Sequence, residues 1–242
     1  MDWRDQGIVL SARAHGESSA ILEILTHEHG RHLGVVRGGT SRKMAPLLQP
    51  GNQIEVTWRA RLADHLGTFQ VEPLAQRAAG VLSDPLRLAA LSSLCASAAF
   101  CLPEREPLQA FAQQTEGVAE ALVADHGWLT AYLDWEVALL QVAGFGLDLS
   151  TCAVTGRPDD LTFVSPKTGR AVSRDGAGDW ADRLLPLPAC LLGASPDAKG
   201  AAEALALTGY FLVEKLGPSL GSRAFPTARG RFVRLITQAA GA

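Results

Sequence analysis

Cysteine is scarce in this chain. Its four thiols, Cys95, Cys101, Cys152 and Cys190, are too few and too scattered over 242 residues for a disulfide framework. Three of them sit among Ala, Leu and Phe and read as small core residues kept reduced. Long apolar runs are missing as well. The most apolar stretch, residues 88–102, has three serines and falls short of the roughly 20 residues that span a bilayer. The opening Met-Asp-Trp-Arg-Asp-Gln lacks the apolar centre of a secretory signal, so a soluble intracellular protein with no membrane partner is expected. Catalytic signatures are absent too: no Gly-x-x-x-x-Gly-Lys-Ser/Thr phosphate loop, no Ser or Cys in a nucleophile elbow, no His-Glu-x-x-His. These absences argue against a P-loop nucleotidase, a serine or cysteine hydrolase and a zinc protease, and the expectation is of a protein that is not an enzyme.

What is present is a globular composition, 47% apolar, with an uneven charge map beneath a net charge of −3. Within residues 31–61 there are six cations, Arg31, Arg37, Arg42, Lys43, Arg59 and Arg61, against the single acid Glu55. Residues 84–136 reverse the sign, with eight acids and only Arg87 and Arg105. The last stretch is basic again, with Arg223, Arg229, Arg231 and Arg234 and no acid. Two basic zones around an acidic middle suggest one face for an anionic partner and another turned away from it.

The first eighty residues alternate with period two. Ile8, Leu10, Ala12 and Ala14 oppose Val9, Ser11, Arg13 and His15; Ala20, Leu22 and Ile24 continue the pattern, then Leu33, Val35 and Arg37. Residues 53–59 put Ile54, Val56 and Trp58 on one side, and residues 67–72 put Phe69 and Val71 inward. Five short strands with no helix long enough to cover a flat sheet favour a small closed barrel over residues 1–80, which also removes exposed edges. Gly38-Gly39 opens a polar loop carrying Arg42 and Lys43.

From about residue 81 the spacing becomes helical, and a helical domain is expected over residues 81–242, interrupted by an insert over about 145–178. Ser83-Asp84-Pro85 reads as an N-cap with a first-turn proline, opening a helix to about residue 100; further helices are expected over 108–125, 128–142, 180–185, 188–193, 197–216 and 228–239. The third, 128–142, is apolar nearly all round and should be the buried centre of a bundle. Residues 145–178 lose the pattern and read as an irregular insert. The fold expected is therefore α+β, a five-stranded barrel followed by a helical domain.

Each charged or ligand-like cluster has two readings. The cations of residues 31–61 suit phosphates passing across a barrel, with binding that is salt-sensitive and indifferent to sequence, or they are a merely solvated positive face. Trp58 and Phe69 alternate with the core, so little stacking surface is left for bases. His27, Glu28, His29 and His32 crowd six positions, but on an extended chain they do not obviously converge; a metal-dependent hydrolase would show stoichiometric metal. Cys152-Ala-Val-Thr155 resembles half of a Cys-x-x-Cys knuckle without its second cysteine, and no metal or other cofactor is expected. Arg229, Arg231 and Arg234 with Phe232 are either a terminal helix with its arginines in water or a seat for an acidic, apolar peptide tail.

Several of these stretches together resemble the bacterial RecO recombination mediator family. They are Gly7-Ile8-Val9-Leu10 with Arg13, Gly16-Glu17-Ser18-Ser19-Ala20, residues 25–31 (Leu-Thr-His-Glu-His-Gly-Arg), Arg37-Gly38, Leu48-Gln49-Pro50-Gly51 and Arg229-Gly-Arg231-Phe232. The resemblance implies an N-terminal OB-fold and a helical domain with a zinc-ribbon-like insert, here lacking its cysteines apart from Cys152. It also implies a cytoplasmic, nucleoid-associated protein that binds single- and double-stranded DNA and anneals complementary strands. With RecR it would help RecA load onto strands covered by single-strand DNA-binding protein, engaging that protein through its acidic C-terminal tail. The competing reading from another class is a nucleic-acid-independent scaffold in which the barrel is structural.

Overall fold

The computed structural model describes residues 1–221 and 224–241, so Arg223 of the basic C-terminal run lies outside the described residues. The chain divides into two compact units, Met1–Trp128 with Pro226–Arg231 and Leu129–Phe225 with Phe232–Ala242.

The first unit is built on five strands: β1 (Asp2–His15), β2 (Ser19–Thr26), β3 (Gly30–Val36), β4 (Gln53–Arg59) and β5 (Thr68–Ala75). They close into a barrel in the order β1-β2-β3-β5-β4, with β4 returning to β1, which is the five-stranded topology of an OB-fold. Neighbours are antiparallel except β3 and β5, which run parallel over two residue pairs, Val35–Thr68 and Val36–Phe69. Val9, Leu22, Ile24, Val56, Trp58 and Phe69 form the interior.

Two phases differ from simple alternation. In β1 a bulge between Val9 and Ser11 adds one residue, so Val9 opposes Ile24 while Ala12 and Ala14 stand opposite Leu22 and Ala20, although both are exposed. Ile8 and Leu10 are buried as well, on the strand's other face, where helices pack on β1. In β3 the buried positions are Gly30, His32, Gly34 and Val36, one out of step with Leu33, Val35 and Arg37. Gly34 sits there because a Cβ would come within 2.5 Å of the Phe69 ring.

This unit also holds the helices α1 (Arg77–Gly80), α2 (Pro85–Cys101) and α3 (Gln109–Ala124). The Asp84 carboxylate caps α2 by accepting from the Leu86 and Arg87 amides, with Pro85 in the first turn where no amide donor is missed.

The second unit takes up α4 (Trp128–Val142) from Leu129 on, with Tyr132, Leu133, Trp135, Leu139 and Leu140 buried. An irregular module follows, with β6 (Leu161–Val164), β7 (Ala171–Ser173), α5 (Arg174–Ala177) and β8 (Leu185–Pro186). Its three-stranded sheet runs β7-β6-β8. The third strand lies past residue 178, where helical spacing was expected; only a 3₁₀ stretch, Gly178–Arg183, precedes it, and Leu185 pairs with Val164. Then come α6 (Ala198–Gly209), capped by Asp197, a π-helical stretch over Tyr210–Leu216, and α7 (Gly217–Ser219). The final helix is α8 (Thr227–Ala240), whose Phe232 meets Tyr132 edge-on at 4.7 Å. Thr208 of α6 donates its hydroxyl to the buried Glu136 carboxylate of α4.

Candidate nucleic-acid interface

The cations read from residues 31–61 separate into two groups. Arg31 is spent inside the first unit. Its guanidinium lies 2.5 Å from Glu23 and 3.6 Å from Glu104 and donates to the Leu102 carbonyl at 2.8 Å, with its side chain only 15% exposed. The backbone fixes the same place: Arg105 donates its amide to the Arg31 carbonyl, and Gly30, at φ +64, lies so close that a Cβ would meet the Glu106 carbonyl oxygen at 1.9 Å. A charge held this way is not offered to a phosphate.

Arg37 and Arg59 behave differently. Arg37 directly follows β3 and Arg59 ends β4, and both line one open groove of about 570 Å³ with Thr57, Thr68 and Gln70. Both are exposed, as are Arg42, Lys43 and Arg61, and among the described residues no carboxylate lies within ion-pairing distance of any of the five. Glu72 is the acid on the groove's rim, and it leans toward Arg4, 3.7 Å away.

The loop between β3 and β4 is held from beneath. Leu48 is buried in the barrel interior and Met44 packs against it at the groove's edge. Ala45 donates its amide to the Ser41 carbonyl, making one tight turn in which Arg42 and Lys43 are left outside. Buried Asn52 closes the loop's far end by donating to the Pro46 and Leu47 carbonyls and accepting from the Ala78 amide. At its near end the Thr40 amide donates to Ser18 in the β1–β2 turn. That contact brings Arg13, exposed on β1, across a second cleft of about 280 Å³ from Gly39 and Gln49.

Arg61 belongs to the β4–β5 loop, and that loop has its own clamp. Arg105, itself at φ +62, donates to the carbonyls of Ala63, Asp64 and His65 at 2.6, 3.2 and 3.1 Å. Arg13, Asn52 and Arg105 are the residues that sequence reasoning left without a role. Asn52 follows a Pro-Gly turn, which is a usable hint; nothing local marks Arg105.

The histidines do not gather into a donor set. His27 lies 3.1 Å from Glu116, at ion-pair distance but off the line of a hydrogen bond, and burial pushes the Glu116 carboxyl up. His29 stacks on Trp3 at 4.0 Å and pairs with Asp5 at 3.0 Å. His32 is buried edge-on to Trp58 and Phe69, and burial holds its imidazole below the usual range. Trp58 is inside, and Phe69, which lines the groove, is only 4% exposed, so among the described residues the groove has no broad stacking surface.

In the C-terminal run Arg229 is buried at 6% exposure, so it is no surface contact, whereas Arg231 and Arg234 are exposed on α8. In the module, Cys152 is ringed by Thr155, Ser173 and Gly176.

The comparisons agree with this architecture over the whole chain. The family profile described as Recombination protein O N terminal matches residues 1–77, and that described as Recombination protein O C terminal matches residues 82–224. A DNA repair protein RecO of Dinoroseobacter shibae is 56% identical over 239 residues, covering 99% of each chain. One of Roseobacter denitrificans is 55% identical over 240 residues, covering 98% of this chain and 99% of its own. One of Cereibacter sphaeroides is 55% identical, covering 99% of this chain and all of its own. An OB-type barrel with a basic groove, joined in sequence to a helical unit and matched end to end by these relatives, places the chain in the RecO family.

Proposed function

We propose that this protein is a non-catalytic DNA repair mediator. It holds single- and double-stranded DNA by the phosphates along the groove between Arg37 and Arg59, with Arg42, Lys43 and Arg61 on the flanking loops. The observation that carries the reading is the convergence of two unpaired arginines, from strands 22 residues apart in sequence, on one open groove.

A surface of this kind supports annealing. Cations screen two complementary strands from one another and hold them close, raising their effective local concentration with no covalent step. Bases left unstacked by protein stay free to pair, consistent with Trp58 and Phe69 of the barrel being almost wholly buried. The partners proposed with the family are RecR, with which it would help load RecA, and the acidic C-terminal tail of single-strand DNA-binding protein, for which exposed Arg231 and Arg234 are the candidate contacts.

The test is retention of a labelled single-stranded oligonucleotide by the full chain carrying Arg37→Glu, Arg42→Glu and Lys43→Glu, with circular dichroism as the fold control. Loss of retention with an unchanged spectrum supports the reading. Unchanged retention overturns it and favours a scaffold whose barrel is structural. Five phosphate contacts predict a salt slope of roughly −3 to −4 on single strands.

A further inference from the structure

The module in the second unit stands on a very small core, Cys152, Val172 and Ala177, with a few half-buried neighbours. Modules of this size are ordinarily held by a staple such as a disulfide or a structural metal. Two four-residue turns, Cys152 to Thr155 and Ser173 to Gly176, face each other across the Cys152 sulfur. Their spacing is that of a Cys-x₂-Cys…Cys-x₂-Cys zinc site. The other three corners are present in the backbone. The Ser173 Oγ is 3.3 Å from the Cys152 Sγ, close to the roughly 3.5 Å edge of a tetrahedron with one sulfur and one oxygen ligand. A Cβ on Gly176 would stand 2.9 Å from the sulfur and 3.0 Å from the Ser173 Oγ, closer than ordinary contact, so a side chain there enters the same centre once the two turns ease apart by a few tenths of an ångström. Gly176 lies in α5 without a positive φ, so a side chain there meets no backbone objection.

The donor set does not fit a metal. A closed structural zinc site takes four thiolate, imidazole or carboxylate ligands, and here one thiol faces two neutral hydroxyls and a glycine. Something else occupies the geometry. The sulfur accepts from the amides of Val154, Thr155 and Ser173 at 3.4, 3.4 and 3.2 Å and from the Ser173 hydroxyl, and Ser173 Oγ in turn accepts from the Gly176 amide at 3.1 Å. Burial pushes the Cys152 pKa up, but the donors of Ser173 and Thr155 outweigh it and bring it down to about 6, as expected for a sulfur collecting hydrogen bonds.

We infer that this module is metal-free and is closed instead by hydrogen bonds from both turns onto the Cys152 sulfur, with Ser173 as the linking residue, in a frame that still has the geometry of a four-cysteine zinc site. Two consequences follow. The wild-type module does not depend on metal, and three substitutions restore a metal site.

The experiment uses the full chain. Wild type purified without chelator is assayed for zinc by mass spectrometry, and amide exchange at Val154, Thr155 and Ser173 is followed with and without EDTA. Substoichiometric zinc and exchange that EDTA leaves unchanged are expected; one zinc per chain, removed by EDTA with loss of protection, overturns the inference. Ser173→Ala should speed exchange at Gly176, whose amide loses its acceptor, by roughly five- to tenfold, the loss of one modest hydrogen bond. Unaltered exchange removes Ser173 from the closure. The triple variant Thr155→Cys, Ser173→Cys, Gly176→Cys should take up one zinc per chain and become sensitive to EDTA, folding on zinc addition if it is loose without it. A variant that stays metal-free or unfolded at saturating zinc overturns the assignment of the three corners.

Discussion

Arg31 and Arg37 stand at the two ends of one strand, about 20 Å apart at 3.3 Å per residue, and their surroundings treat the same side chain in opposite ways. At the start of β3, residues 102–106 lie against the strand, and the guanidinium is surrounded by Glu23, Glu104 and a carbonyl. At its end no such segment arrives, and Arg37 looks onto a groove shared with Arg59. A count of basic residues treats the two alike. What separates them is which acids the fold brings within reach, and for Arg31 one of those acids comes from 73 positions along the chain.

Four measurements sharpen or break this contrast. The largest effect belongs to the groove: reversing Arg37, Arg42 and Lys43 together should weaken single-strand binding by at least about a hundredfold at moderate salt, since three phosphate contacts are replaced by repulsions. Binding within a few-fold of wild type, read by fluorescence anisotropy, would erase the distinction between the strand's ends. Next is Arg31→Ala, which leaves the largely buried Glu23 with the Ser11 hydroxyl but no cation. It should cost about 2 kcal/mol in urea unfolding, with DNA affinity per folded molecule and salt slope unchanged. The double variant with Glu23→Gln should recover part of that loss. An Arg31→Ala protein that folds normally but loses a unit of salt slope would return this residue to the interface.

A single Arg59→Ala change should lower affinity several-fold and reduce the salt slope by roughly 0.7. An unaltered slope would mean that the groove's second wall carries no phosphate. The smallest effect is a pH dependence beside the strand's protected end. Burial holds His32 neutral, so below about pH 6.5 the unfolded chain takes up a proton that the folded state resists. Stability should therefore fall as pH drops from about 6.5 toward the folded value, and His32→Phe should flatten that part of the curve. Equal slopes for the two proteins would place the titration elsewhere.

Much of the barrel could be read from residue order because its cues are local. Alternation over residues 53–59 gave β4 its bounds and its inner face, and Asp84-Pro85 marked the start of α2 through a cap that needs only the next three residues. The phase of β1 could not be read, because the bulge past Val9 inserts a residue with no compositional mark. The phase of β3 depended on how Phe69 packs, a contact from another strand. The candidate site divides in the same way. Exposed Arg42 and Lys43 were visible as a basic loop, whereas the neutralisation of Arg31, the burial of Arg229, the clamp by Arg105 and the convergence of Ser173 and Gly176 on Cys152 all depend on partners distant in sequence. Distance along the chain, not subtlety of chemistry, set the limit.

The barrel's shortest border is the one between β3 and β5, joined by two residue pairs and by the Val35 amide donating to Gly67. Val36, Thr68 and Phe69 of that border also belong to the wall of the groove. A strand of DNA resting there would span the border from outside, gripping the end of β3 through Arg37 and the end of β4 through Arg59. Occupancy would then act as a brace: opening of the seam and release of the ligand become linked, and each tenfold excess of DNA over its dissociation constant adds about 1.4 kcal/mol against opening.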